Sequence, residues 1–137
     1  MNFLLDTMIL SEFRKRSPNA RVVRWLQEKA ASELFPSVVT IGEVERGISK
    51  QRRLNPAFAE RLSDWLQAVL LHYRDRILPV DISIARRWGM LDDRHHRAGA
   101  DLLIVATALE YGLIVITRNA RHFEPTGAPV LNPFEPV

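Results

Sequence analysis

Hydrophobic positions along this chain alternate between two styles. Short apolar runs at Asn2 to Leu5, Leu34 to Val39, Ile77 to Val80 and Leu113 to Ile116 have the length of buried strands. Between them, apolar residues recur every three or four positions. That spacing predicts a helix from Thr7 to about Arg16, and a second one with Val22, Val23, Trp25 and Leu26 on one face. A third helix is expected over Ile41 to Gln51, entered through Thr40. A fourth restarts after Asn55-Pro56 and presents Phe58, Leu62, Trp65, Leu66, Val69 and Leu70. A fifth runs from Ile82 to about Arg94. Gly99 precedes a sixth, Leu102 to Tyr111, which Gly112 closes as a left-handed terminal residue. Apolar strands separated by helices imply a parallel sheet buried on both faces. The expected class is therefore α/β, a three-layer α/β/α sandwich.

Three acids recur at the starts of helices that follow strands or a break. Asp6 directly follows the first strand, Glu43 lies one turn after the second, and Asp101 opens the apolar helix. Each has an ordinary structural explanation. Asp6 and Asp101 suit helix N-termini, and Thr40-Ile41-Gly42-Glu43 has capping-box spacing. Together they carry more. In a parallel sheet the strands point one way, so the helix N-termini that follow them gather at one edge, where such folds bind ligands. If the start of the Leu102–Tyr111 helix lies at that edge too, three carboxylates converge there and repel one another unless a cation binds or one of them takes a proton.

Composition narrows the chemistry. The chain has 137 residues, a length suited to one domain, and its charged fraction of 26% and hydrophobic fraction of 47% are ordinary for globular proteins. There is no cysteine, which excludes thiolate metal sites, disulfides and a cysteine nucleophile. Any metal must be held by oxygen or imidazole, and clustered carboxylates select a hard ion, Mg²⁺ or Mn²⁺. The net charge is only +3, but nearly all the basic residues are arginine, with lysine only at positions 15, 29 and 50. The guanidinium fork suits phosphate. No apolar run is long enough to span a membrane, and the first residues lack the basic start of a signal peptide, so a cytoplasmic protein is expected.

The chemistry that uses such an edge is phosphodiester hydrolysis, with a metal polarising the phosphoryl group and a carboxylate taking a proton from the attacking water. Thr117, Arg118 and Asn119 follow the last strand and should reach the same edge. Thr117 and Asn119 are placed to orient a carboxylate or water, and Arg118 and Arg121 to meet phosphate. His122 reads as a surface residue, and His95 and His96 as part of an exposed polar loop. Other phosphate chemistries fail on single residues. The Gly42 to Ser49 stretch has P-loop spacing, but Ile48 replaces the required lysine. Met8 stands where a haloacid dehalogenase-type phosphatase needs its second aspartate.

Four motifs then match one family in order. They are Leu4-Leu5-Asp6-Thr7 with Ile9 and Ser11-Glu12, Ile41-Gly42-Glu43 with Gly47, Ala100-Asp101-Leu102-Leu103-Ile104 with Ala106-Thr107-Ala108, and Val115-Ile116-Thr117-Arg118-Asn119. With the ending Leu131-Asn132-Pro133-Phe134, the whole chain resembles PIN-domain ribonucleases, and among them the VapC-type toxins of type II toxin–antitoxin pairs, FitB-like group. The resemblance implies a Mg²⁺-dependent endoribonuclease, homodimeric and inhibited by a cognate antitoxin. Asp6, Glu43 and Asp101 fall on the family's principal acids, and Asn119 on a fourth position that is often Asp. Thr7, Thr117 and Arg118 take supporting or substrate-contacting places. Met8 replaces an Asn usual in the family. Two other readings are a non-enzymatic RNA- or partner-binding module whose acids only cap helices, and a metal-dependent phosphohydrolase of small esters. The Val22, Val23, Leu26 face and the long Phe58–Leu70 helix are expected to pack in the core, with antitoxin or dimer contact as the alternative.

Overall fold

A computed structural model of the chain describes residues 1–95 and 99–136. The expected parallel sheet is present, with four strands: β1 (Phe3–Leu5), β2 (Leu34–Pro36), β3 (Ile114–Ile116) and β4 (Val130–Leu131). Their spatial order is β2-β1-β3-β4, so the first strand lies inside the sheet. Leu5 registers with Pro36 on one side and Ile116 on the other, which brings the residues following all three strands to one edge.

Alternation along β1 divides the core. Leu4 and Val115 face one side, where they pack with α5 (Ile82–His95) and α6 (Gly99–Tyr111) through Ile84, Leu102 and Val105. Phe3, Leu5 and Ile116 face the other. There they meet α1 (Thr7–Glu12), α2 (Ala20–Gln27) and α4 (Pro56–Tyr73) through Ile9, Val22, Leu26 and Val69. Helices on both faces complete the three-layer sandwich. The long hairpin of α3 (Val38–Leu54) and α4 closes its own small core around Ile48, Ala59, Leu62 and Leu66. Val22 and Leu26 are buried, and Trp25 and Trp65 pack against the same core.

Several boundaries differ from the sequence reading for identifiable reasons. The first helix stops at Glu12 rather than near Arg16. The Glu12 side chain, buried, accepts hydrogen bonds from the Asn19 amide at 2.7 Å and the Lys15 ammonium at 3.0 Å, which turns the chain back. The α3 helix begins at Val38, with the Ser37 hydroxyl capping the Val39 amide at 3.0 Å. Thr40 is therefore inside the helix and not its cap, and the Thr40–Glu43 capping box does not form.

Ile77 to Val80 is not a strand. Leu78 makes one isolated parallel bridge with Ser37, and Pro79, with no amide proton, cannot extend the ladder. Gly112 ends α6 at φ +66, as its position predicts. The short helix α7 (Ala120–Phe123) and strand β4 were not anticipated. His95 belongs to the end of α5 rather than to a loop, and His96 lies outside the described residues.

Candidate active site

Asp6 caps the first helix and is nearly fully buried, with 7% exposure. Its Oδ1 accepts the Thr7 amide at 2.8 Å and its Oδ2 accepts the Thr117 hydroxyl, also at 2.8 Å. The β1–β3 register places Thr117 there, and the Asp6 amide donates to the Ile116 carbonyl at 3.0 Å. Thr117 is wholly buried, and its oxygen also accepts the Asn119 amide at 3.1 Å. A single hydroxyl thus ties the first acid to the loop after the third strand.

Glu43 projects from the second turn of α3 toward α1, where the Thr7 hydroxyl donates to its Oε1 at 2.9 Å. With no capping box formed, its carboxylate is left to face the Asp6 neighbourhood. Arg46, one turn on, approaches Oε2 at 4.0 Å. Asp101 sits in the first turn of α6, half-buried, with its Oδ2 2.9 Å from His122 Nε2 on α7.

Electrostatics joins the three acids. Burial pushes the Asp6 carboxyl above its ordinary value. Hydrogen bonds from Thr117 and Thr7 oppose the rise, and the charge of Asp101 adds to it. Glu43 is also raised, first by burial, with Thr7 and Arg46 opposing and the charges of Asp6 and Asp101 reinforcing it. Unlike a solvated acidic patch, this group holds negative charge in a partly dry place. Among the described residues, no three His, Cys, Asp or Glu side chains are gathered as tightly as a ligand shell. The donors are nevertheless of the kind a hard cation takes, all oxygen and under mutual repulsion.

A cleft of about 850 Å³ opens beside Asp101, and its lining mixes Arg118, Arg121 and His122 with Glu124 and Glu135, and with Asn119 and Asn132. Arg118 is exposed, with its guanidinium 4.6 Å from the centre of the Phe134 ring. The Asn132 side-chain Nδ2 donates to the Arg118 carbonyl at 3.0 Å, and its Oδ1 accepts the Phe134 backbone amide at 2.9 Å, so the C-terminal segment forms a wall of this cleft. Asn119 is exposed, and its side-chain nitrogen is 3.8 Å from the sulfur of Met8. The departure from the family pattern at Met8 therefore touches the fourth polar position directly.

Comparison with known proteins gives the family. Residues 3–127 match the PIN domain family model. The chain belongs to the PIN domain family. This PIN domain is 32% identical to the VapC ribonuclease Y4jK of Sinorhizobium fredii over 144 residues, covering 98% of the chain and 99% of the relative. It is equally 32% identical to Toxin FitB of Neisseria gonorrhoeae, covering 96% of the chain and 97% of that protein. The crystal structure of FitAcB from the same organism superposes with a TM-score of 0.86 at 32% identity, covering 98% of this chain and 99% of the other.

Sequence reasoning set Asp6, Glu43, Thr117, Arg118 and Asn119 at one edge, with Asp101 there if its helix starts there. The structure puts the Thr117 and Thr7 hydroxyls on the carboxylates of Asp6 and Glu43 and lines one cleft with Asp101, Arg118 and Asn119. Sequence reasoning missed His122 as the partner of Asp101, because the α7 turn that carries it is only four residues long. Its place three residues after Asn119, one helical turn on, was the available signal. Phe134 was noted as part of the chain ending but not as the ring beneath Arg118, a contact between distant segments that no local spacing encodes.

Proposed function

We propose that this PIN domain is the toxin of a type II toxin–antitoxin pair, an endoribonuclease that hydrolyses RNA phosphodiester bonds with a divalent metal, Mg²⁺ or Mn²⁺. The observation that carries the reading is the placement of Asp6 directly after β1, with the Thr117 hydroxyl from the neighbouring strand end on its carboxylate and Thr7 bonded to Glu43 beside it, at the carboxyl edge of a parallel sheet. The naming of relatives as a ribonuclease and a toxin supports the same reading.

Asp6 and Asp101 would hold the ion most directly, with Glu43 beside them. The bound ion would supply Lewis-acid polarisation of the phosphoryl group and an activated water. The remaining work falls to the chain itself. Thr117 fixes the rotamer of Asp6 through its hydroxyl, and Thr7 holds Glu43 in the same way. Glu43, raised in pKa and only part-buried, is suited to take the proton from the attacking water. Asn119 orients the attacking water or the phosphate from the opposite wall. Arg118, steadied on Phe134, meets the phosphate of the substrate.

The partner is a cognate antitoxin, and the toxin acts as a homodimer. An apolar groove of about 560 Å³ between α1, α2 and α4, lined by Leu10, Phe13, Leu26, Trp65 and Val69, is suited to receive an amphipathic segment of that antitoxin. Phe13 is 47% exposed there, an uneconomical placement for a ring that only packs internally.

Induction of the chain in a bacterial host tests the reading. Wild-type protein should arrest growth, and the purified protein should cleave RNA only with a divalent ion. Asp6→Asn and Asp101→Asn should each lose both effects while keeping the wild-type circular dichroism spectrum. Undiminished arrest by both variants would overturn the proposal.

A further inference from the structure

The cluster of acids poses a problem for its own substrate. A polyanion approaching three carboxylates is repelled, and a metal offsets that repulsion only locally. Cations must hold the rest of the strand. One groove supplies them. It begins at Glu43 and follows α3 outward past Arg46, Lys50 and Arg53, enclosing about 580 Å³.

The helix geometry makes this a line. Positions 43, 46, 50 and 53 recur at three and four residues and so share one face, while Ile41, Val44 and Ile48 turn the opposite face into the core. At about 1.5 Å per residue, the three cations extend about 15 Å along the axis from the acid. All three are exposed. Arg53 lies in the last turn and also complements the helix dipole, but Arg46 and Lys50 lie too far inside for that role. Arg46 stands 4.0 Å from Glu43 and is the link between the acids and the line.

We infer that this face of α3 is a phosphate track for the single-stranded RNA substrate, leading away from the scissile bond on the Glu43 side. The inference rests on the nuclease reading above and adds the path of the strand. The cleft beside Asp101 mixes Arg118 and Arg121 with Glu124 and Glu135, so the α3 face is the predominantly basic one of the two. A line of flexible cations answers the repeating charge of a nucleic-acid backbone without reading its bases.

The test measures binding of a fluorescein-labelled single-stranded RNA by fluorescence polarisation in EDTA, across a salt series, so that no cleavage occurs. The triple substitution Arg46→Ala, Lys50→Ala, Arg53→Ala should reduce the magnitude of the log–log salt slope by about 2, at about 0.7 per phosphate contact. Its affinity should fall about 100-fold near 0.1 M salt and converge on wild type near 1 M. A charge-matched control, Arg61→Ala, Arg74→Ala, Arg86→Ala, should change the slope far less, and thermal melts check that both variants fold.

Equal effects from the two triples, or an unchanged slope in the first, would overturn the track. So would loss of antitoxin binding with RNA binding intact, which would assign the face to an acidic protein segment. Cleavage by wild-type protein with Mg²⁺ is scored separately. A track effect without cleavage would contradict only the nuclease reading, and cleavage without a track effect would contradict only the path.

Discussion

Replacing Thr117 with valine keeps the shape of a fully buried side chain and deletes one hydroxyl. That hydroxyl donates to Asp6 at 2.8 Å and accepts the Asn119 amide at 3.1 Å. A hydrogen bond to a charged group contributes about 1.5–3 kcal/mol. For 137 residues, an unfolding entropy of about 2.1 cal/mol/K per residue gives about 0.29 kcal/mol/K, so the expected drop in Tm is about 5–10 °C at neutral pH.

The loss should also depend on pH, and its sign follows from Asp6. Its folded pKa is raised above the ordinary 3.8, so ionisation of Asp6 costs stability as pH rises from that value through the folded pKa. Without the Thr117 donor the folded pKa rises further. The difference between variant and wild type should therefore be small at pH below 3.8 and grow to its full size above the higher of the two folded values. Thermal melts of both proteins over a pH series, with EDTA present throughout, measure it. A loss of the same size at every pH would place the effect in packing or in the Asn119 bond, and would refute the reasoning about Asp6.

Other expectations follow from single contacts. Thr7→Val frees Glu43 and should lower kcat by at least tenfold, on the scale of a positioning error at a general base, while RNA affinity in EDTA stays within twofold. Glu12 behaves oppositely to Asp6. Burial tends to raise it, but the Asn19 amide, Lys15 and Arg118 together hold it below its ordinary 4.5. Its contribution is thus fully present above pH 4.5 and is lost as pH falls through the lower folded value, so Glu12→Gln should destabilise at neutral pH and match wild type in acid. Phe134→Ala removes the ring under Arg118, a contact of about 0.5–1 kcal/mol, and should raise KM about two- to fivefold.

The sheet was legible because Leu4, Val115 and their neighbours are buried on both faces, and a strand with no polar face reads as a continuous apolar run. Asp6 and Glu43 were legible because position after a strand is a local property, whereas Asp101 opens a helix that follows another helix and no local pattern sets it at the same edge. Strand order was not legible, since the β1–β3 pairing joins segments separated by more than a hundred residues. The capping-box alternative for Glu43 rested on a local pattern that Ser37 pre-empted by capping the helix three residues earlier. Glu12 was read only as part of a motif, yet it is buried and stops a helix, because its partner Asn19 lies beyond the break at Ser17-Pro18. The two-residue β4 is too short to leave a pattern and exists through its pairing with β3.

Whether Asp6, Glu43 and Asp101 together hold a divalent cation, as proposed, is decided by a thermal melt with and without Mg²⁺. At a concentration 100 times its Kd, a ligand bound only by the folded state stabilises by about 2.7 kcal/mol. With the unfolding entropy above, that is a rise of about 9 °C in wild-type Tm. The same addition should leave Asp6→Asn essentially unmoved. A wild-type Tm indifferent to Mg²⁺ and Mn²⁺, or an equal rise in Asp6→Asn, would contradict the account.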